Sequence, residues 1–334
     1  MKAMVFEKYG PPDVLQLKEI EKPVPADNEV LIKVNAATVT KYDCWQRSST
    51  APPGFWLLSR IYGGLLKPKQ TILGTELAGE VESAGKDVTR FKAGDQVSGY
   101  PGMKLGAYAE YICMPEDGAV AIKPVNTTFE EAACGLQGPL TALYFLRKGN
   151  IRKGQKVLIY GASGGVGSSA VQLARYFGAE VTGVCSAAKT EMVKSLGAER
   201  VIDYRKEDFT RSGETWDIIL DTIGWVPISG CKRSLKDNGT YLLTTFGLPK
   251  LMQLIWFSMT SGRKAFFGAL KERAEDMDFL SGLIQAGELK IVIDRTYPLE
   301  QAADAHRYVE SGNKSGNVVL TVSHNPQSET KTME

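Results

Sequence analysis

The stretch KVLIYGASGGVG, residues 156–167, limits this chain more than any other. An apolar run meets four glycines (Gly161, Gly164, Gly165, Gly167), and an amphipathic pattern follows. That order predicts a strand, a tight turn and a helix. Glycines let the turn close and let the backbone approach a pyrophosphate, whose charge then faces the helix amino terminus. The residues placed to make that contact are Ala162, Ser163, Gly164, Gly165 and Val166. The confirming context is present, because AEVTGVCS reads as a second strand ending near Ser186.

A fold that holds NAD usually carries Asp or Glu about 20 residues past the glycines, on the ribose 2′-hydroxyl. Here that window reads VCSAAK. With no acid there, nothing in the window repels a 2′-phosphate. Ser186 is a donor, Lys189 a point charge, and Tyr204 ends the next strand, where its ring flanks the adenosine. The residues therefore predict NADPH over NADH.

Around this motif the chain has two rhythms. Roughly the first 120 residues alternate apolar and polar side chains in short runs such as EVLIKVNAATV, ELAGEVESAG and AYAEYICM, split by Pro and Gly. They predict a twisted, partly open β barrel. Residues 46–70, rich in Pro, Gly and aromatics, read as a lid or a packed loop. From Thr128, Val/Ile/Leu-rich strands alternate with helices, as in a doubly wound parallel sheet covered on both faces. The expected order continues with a helix to Ala286, a strand LKIVI, a helix and a last strand NVVLTV. The tail from Ser323 is polar and reads as disordered. The fold class is thus α/β, with residues 1–125 plus 290–334 as one domain and 126–289 as the nucleotide-binding one.

Bulk properties exclude other classes. A net charge of +2, with basic residues dispersed among acids, argues against nucleic acid or anionic lipid as the main partner. The most apolar run, Leu251 to Met259, is too short to span a bilayer, and MKAMVFEKYG lacks a signal-peptide core. A cytoplasmic location is the expectation. Five cysteines without a CxxC spacing are neither a disulfide framework nor a zinc knuckle.

The order of these parts, together with ILGTELAGEVESAGKDVTRFKAGDQV, GAYAEY, GPLTAL and AHRYVESG, resembles the medium-chain dehydrogenase/reductase superfamily over nearly the whole chain. It is most similar to the zinc-free quinone oxidoreductase and enone reductase branch. The resemblance implies a GroES-like barrel domain beside the Rossmann domain. The zinc ligands of the alcohol dehydrogenases fall on Thr40, Thr75 and near Gln137 here, poor substitutes for thiolate and imidazole. No metal is expected. Without a Lewis acid, the acceptor implied is a small quinone or an α,β-unsaturated carbonyl, in which hydride charge spreads through conjugation.

The resemblance also assigns positions. Thr40 stands where relatives often carry Asn near the nicotinamide, and Tyr42 is the candidate oxyanion donor or proton source. Asp43 is read as the acceptor that fixes their turn. Thr141 is expected under the nicotinamide, Thr245, Phe246 and Gly247 beside its carboxamide, and Asn317 closing over the cofactor. Trp45, Tyr62 and Trp256 are candidate walls of a flat acceptor site. RKAFFGAL, 263–270, is expected to follow the last strand and pair two sheets edge to edge in a homodimer. Two other functions stay open: an alcohol dehydrogenase of the same superfamily, and a non-catalytic NADPH-binding protein.

Overall fold

The structure, a computed structural model, describes residues 1–51, 53–268, 270 and 274–324. Among these, six strands form one parallel sheet. Its order across the sheet is Arg200–Asp203, Glu180–Cys185, Lys156–Tyr160, Trp216–Asp221, Leu235–Leu243 and Lys264–Phe267. Chain order reverses between Lys156–Tyr160 and Trp216–Asp221, so a crevice opens beyond their carboxyl ends. Val157, Leu158, Ile159, Ile218, Ile219 and Leu220 are all fully buried, as strands covered on both faces require.

A second sheet runs Ile293–Pro298, Asn317–Thr321, Glu29–Thr38, Leu77–Ala84, Gln96–Gly99 and Val120–Ile122, with Tyr111–Pro115 also paired to Glu29–Thr38. Ten-residue Glu29–Thr38 is its spine, and two register shifts against Leu77–Ala84 twist it. Its core, around Ile32, Val34, Leu73, Leu77 and Val81, is separate from that of the parallel sheet.

Three sequence expectations move. The strand expected at LKIVI begins only at Ile293. Before it, the Gln172 side chain takes the backbone of Lys290, accepting its N–H at 2.8 Å and donating to its C=O at 2.9 Å. That clasp occupies the groups a ladder would need. The segment expected to follow the parallel sheet is itself its sixth strand, because Lys264–Phe267 pairs with Leu235–Leu243. The helical run after Thr128 is two helices, Phe129–Cys134 and Gln137–Lys148, broken at Gly135.

The 46–70 segment contains a helix, Trp56–Gly63, in which no residue is buried. Of the polar tail, His324 is placed: its Nε2 lies 2.8 Å from the Val34 carbonyl and its ring packs on Tyr111. Residues 325–334, on which the rest of the disorder expectation falls, lie outside the described residues. No described helix is long and apolar enough to cross a membrane.

Candidate active site

The glycine turn sits at the switch point of the parallel sheet. Gly161 adopts φ +82°, a left-handed conformation that favours glycine. A Cβ there would also lie 2.4 Å from the Thr222 hydroxyl, which donates to the Tyr160 carbonyl from the neighbouring strand. At Gly167 a Cβ would lie 2.1 Å from the Gly161 carbonyl, so the turn closes on bare backbone. The helix that follows, Gly165–Tyr176, has Gly164 at its N-cap and no side-chain cap. No side chain competes for its first turn, which is the fit a pyrophosphate needs. Ala162 is fully buried beneath the turn, while Ser163 and Val166 are half-buried.

The return segment from the other sheet closes on this turn. Gly316 N donates to the Ser163 carbonyl at 2.7 Å, and Gly316 bridges Gly164. Asn317 Oδ1 fills the space a Gly165 side chain would take, 2.5 Å from that Cβ position, and its Nδ2 donates to Val292 O at 3.0 Å. Asn317 therefore stands beside the phosphate turn. The contact joins residues 152 positions apart, and no local pattern announces it.

At the end of Glu180–Cys185, Ser186 is the N-cap of a short turn, Ala187–Lys189, and makes no side-chain cap bond. Lys189 Nζ donates to Asn313 O at 2.6 Å and to the Ser315 hydroxyl, so this amine is held at the domain junction rather than in bulk solvent. Tyr204, 44% exposed, donates its backbone N–H to Cys185 O, and Arg205 lies over its ring. A carboxylate also reaches this corner: Asp203 is in register with Cys185, and its Oδ1 accepts from Arg205 N at 3.1 Å. The sequence reading passed over it because it belongs to the third strand, not the second.

On the opposite wall, Thr40 is the N-cap of Lys41–Ser48, in a capping box with Asp43. Thr40 N donates to Asp43 Oδ2 at 2.8 Å and Thr40 Oγ1 donates to the same oxygen at 2.5 Å. Asp43 Oδ1 accepts from Gly74 N at 3.1 Å. Asp43 fixes the turn as expected, and the Thr40 hydroxyl proton is committed to it. Burial pushes the Asp43 carboxyl up to about 6. Tyr42, half-buried, has its phenol held above its ordinary value first by burial, against the lowering effect of a Gln46 hydrogen bond. It is a protonated donor at neutral pH.

Glu76 joins the two lobes. It is 2% exposed; Oε2 accepts from the Thr38 hydroxyl and Oε1 from Gln137 N, both at 2.6 Å. Its carboxylate thereby caps the amino terminus of Gln137–Lys148 at the break beside Gly135. Burial pushes this carboxyl up to about 7. Thr141 lies one turn along that helix, and Gly138 lies against the Gly165 backbone. Lys314, from the return segment, donates to Gly316 O at 2.8 Å; burial lowers its pKa while Glu76 and Asp294 act to raise it. Sequence reading missed Lys314, since a lysine in a polar loop carries no signal.

Thr245, Phe246 and Gly247 follow Leu235–Leu243 into the same crevice. The space a Cβ on Gly224 would need is taken by Thr245 O, and Phe246 packs edge-on against Phe55 and Phe267. Of the three aromatics expected to wall an acceptor site, Trp45 is half-buried on the Lys41–Ser48 helix. Tyr62 borders a cavity of ≈ 240 Å³ with Tyr9, Gln46 and Met103. Trp256 is 71% exposed on the 248–260 helix, whose buried side is Leu254 and Phe257.

The donors at Thr40, Thr75 and Gln137 do not suit zinc. Among the described residues no group of three or more His, Cys, Asp or Glu is placed to hold a metal ion. Cys44 and His306 do meet, 3.5 Å apart, but in the dry core with Tyr108, where burial lowers His306 to about 3.

Residues 26–124 match the family described as "Alcohol dehydrogenase GroES-like domain", and 196–320 match "Zinc-binding dehydrogenase". A spinach (Spinacia oleracea) chloroplastic quinone-oxidoreductase homolog is 32% identical over 96% of this chain and 98% of its own. A tomato (Solanum lycopersicum) 2-methylene-furan-3-one reductase is 31% identical over 96% of this chain and 79% of its own. The crystal structure of Escherichia coli quinone oxidoreductase complexed with NADPH superposes with TM-score 0.82 at 29% identity, covering 96% of this chain and 100% of that one. The chain belongs to the medium-chain dehydrogenase/reductase superfamily, in its quinone oxidoreductase branch, and is an NAD(P)H-dependent oxidoreductase.

Proposed function

We propose that this enzyme prefers NADPH and delivers hydride, without a metal, to a quinone or an α,β-unsaturated carbonyl. One observation carries the cofactor preference: the uncapped glycine turn and the Ser186–Lys189 window follow the carboxyl ends of neighbouring parallel strands, and that window has a lysine and no carboxylate. Asp203 turns its carboxylate into its own loop, bonded to Arg205 N. Ser186, Lys189 and Tyr204 then receive the 2′-phosphate and adenosine, and Ala162, Ser163, Gly164, Gly165 and Val166 receive the pyrophosphate. Thr141, Thr245, Phe246, Gly247 and Asn317 border the nicotinamide.

Bound there, the cofactor supplies the hydride. The chain's own part is to orient the acceptor and to offer a hydrogen bond where negative charge develops. The Tyr42 phenol is the donor for that charge. Thr40, its hydroxyl given to Asp43, fixes the turn that carries Tyr42. The relatives' names, a quinone oxidoreductase homolog and a furanone reductase, support conjugated acceptors.

Oxidation of NADPH and NADH with menadione, 9,10-phenanthrenequinone and simple enones tests this reading. Faster turnover with NADPH on at least one acceptor supports it. Tight NADPH binding with no turnover on any would favour a non-catalytic protein, and zinc-dependent alcohol oxidation an alcohol dehydrogenase. We further propose a homodimer joined through the open edge of Lys264–Phe267, for which light scattering at micromolar protein should give twice the chain mass. A cytoplasmic site agrees with five unpaired cysteines.

A further inference from the structure

Two helices break the rule that a surface helix turns its apolar stripe inward. Trp56–Gly63 buries no residue, yet Trp56, Leu57, Leu58, Ile61 and Tyr62 are each at least 53% exposed, and Leu66 just beyond is 91% exposed. Leu248–Thr260 buries Leu254 and Phe257 against the parallel sheet. Its opposite side carries a second stripe at helical spacing: Met252, Ile255, Trp256 and Met259, exposed by 62, 44, 71 and 80%.

The two helices start at one junction. Leu248 N donates to Pro53 O at 2.8 Å, and the Phe55 and Phe246 rings meet at 6.2 Å. Lys250 ties a further exposed aromatic to this corner, because its Nζ donates to the Gly224 and Val226 carbonyls on either side of Trp225, itself 71% exposed. Monomeric soluble proteins rarely leave contiguous apolar patches above a few hundred Å² without an occupant.

Charge says what the occupant is. About one residue in nine of the chain is acidic, but residues 44–75 and 238–271 contain no Asp or Glu at all. The same segments hold eight Lys and Arg; Arg47, Lys250 and Arg263 pair with Glu310, Asp221 and Asp237 from outside them, while Lys67 and Lys69 are exposed. The near-neutral average of the whole chain conceals this local excess. Aromatic and aliphatic side chains flanked by lysine, on segments that carry no carboxylate of their own, are the features of a helix lying in the plane of an anionic bilayer.

We propose that the Trp56–Gly63 and Leu248–Thr260 helices form a peripheral docking face for an anionic lipid bilayer, without spanning it. One helix follows the wall that carries Tyr42 and the other follows Phe246 and Gly247. Docking therefore turns the crevice between them toward the lipid, where an apolar quinone is dissolved.

Flotation of the full chain with phosphatidylcholine vesicles, and with vesicles also containing phosphatidylglycerol, tests the face directly. Partition at least about tenfold stronger into the anionic vesicles, weakened by salt, is expected. It should come with a blue shift of the Trp56, Trp225 and Trp256 emission. The variant Leu57→Ser/Ile61→Ser/Ile255→Ser/Met259→Ser should lose about tenfold or more of that partition while retaining NADPH binding. Lys67→Glu/Lys69→Glu, which leaves the apolar stripes and the proposed dimer edge intact, should abolish the anionic preference.

Protein that stays unbound with both vesicle types overturns the proposal, as does equal partition into both. If the serine variant instead converts a dimer into monomers in light scattering, with no vesicle binding by the parent, the face belongs to a second copy of the chain. These arms need no turnover. Only a final comparison, of vesicle-dissolved long-chain quinone against a short water-soluble one, rests on the proposed acceptor class; vesicle binding without faster long-chain turnover would sink that reading and spare the face.

Discussion

Lys189 reaches across to Asn313: its Nζ donates to that carbonyl at 2.6 Å, with the Ser315 hydroxyl as a second acceptor. The same amine thus serves a protein latch and, in the proposed reading, the cofactor's 2′-phosphate. In that reading its charge decides the dinucleotide. Lys189→Ala should weaken NADPH about tenfold to a hundredfold, the value of a charge-assisted hydrogen bond. NADH binding should change much less, and calorimetry with both dinucleotides reads the difference. Equal losses would show that Lys189 acts only through the latch.

Gly167→Ala drives a Cβ to 2.1 Å from the Gly161 carbonyl and 2.8 Å from the Ala162 Cα. Backbone is on both sides, so the turn must open. A stability loss of about 1–3 kcal/mol is expected from such overpacking. Loss of NADPH affinity should go with it, measured by thermal melting with and without cofactor.

Tyr42→Phe removes the proposed oxyanion donor and keeps the ring's packing. The expected result is a fall in kcat of about tenfold to a hundredfold with NADPH affinity unchanged, read by steady-state kinetics and cofactor titration. A change confined to KM for the acceptor would reduce Tyr42 to a wall of the site.

Glu76 gives stability a pH dependence. Its folded value of about 7 lies above its ordinary 4.5, so between these pH values the unfolded chain has released a proton that the folded one keeps. Stability contributed at low pH is therefore lost as pH rises through this window, by up to about 1.4 kcal/mol per unit. Glu76→Gln should flatten the slope of urea-unfolding free energy from pH 5 to 7. A smaller slope should remain below pH 6, from Asp43, whose shift has the same sign.

Arg47 is 1% exposed, and among the described residues its Nε and Nη1 find no partner, while Nη2 meets Glu310. A buried charge so poorly paired contributes little to stability. Arg47→Met should leave the urea midpoint within about 1 kcal/mol of the parent or raise it. A large loss would show that buried water completes the guanidinium's bonding.

The sequence made some of this visible and hid the rest for a physical reason. The Gly161–Gly167 turn and the alternation of strand and helix are local chemistry, and they appear where the residues said. The position of Asn317 beside Gly165 was not legible, since the two meet only through the folded return segment. Glu76 capping Gln137–Lys148 and Gln172 clasping Lys290 were not legible. Each places a side chain on the backbone of a distant segment, and each shifted an expected boundary nearby. Trp256 misled because an aromatic on an apolar helix reads alike whether it faces a pocket or solvent.

The sheet that carries Tyr42 takes Glu29–Thr38 from the early chain and Asn317–Thr321 from near its end. The parallel sheet, by contrast, is continuous from Lys156 to Phe267. During synthesis the nucleotide-binding lobe is therefore free to consolidate while the ribosome still holds the strand that its companion lacks. Until that last strand emerges, the flank of Glu29–Thr38 is an open ladder, the stage at which a nascent chain like this depends most on chaperones.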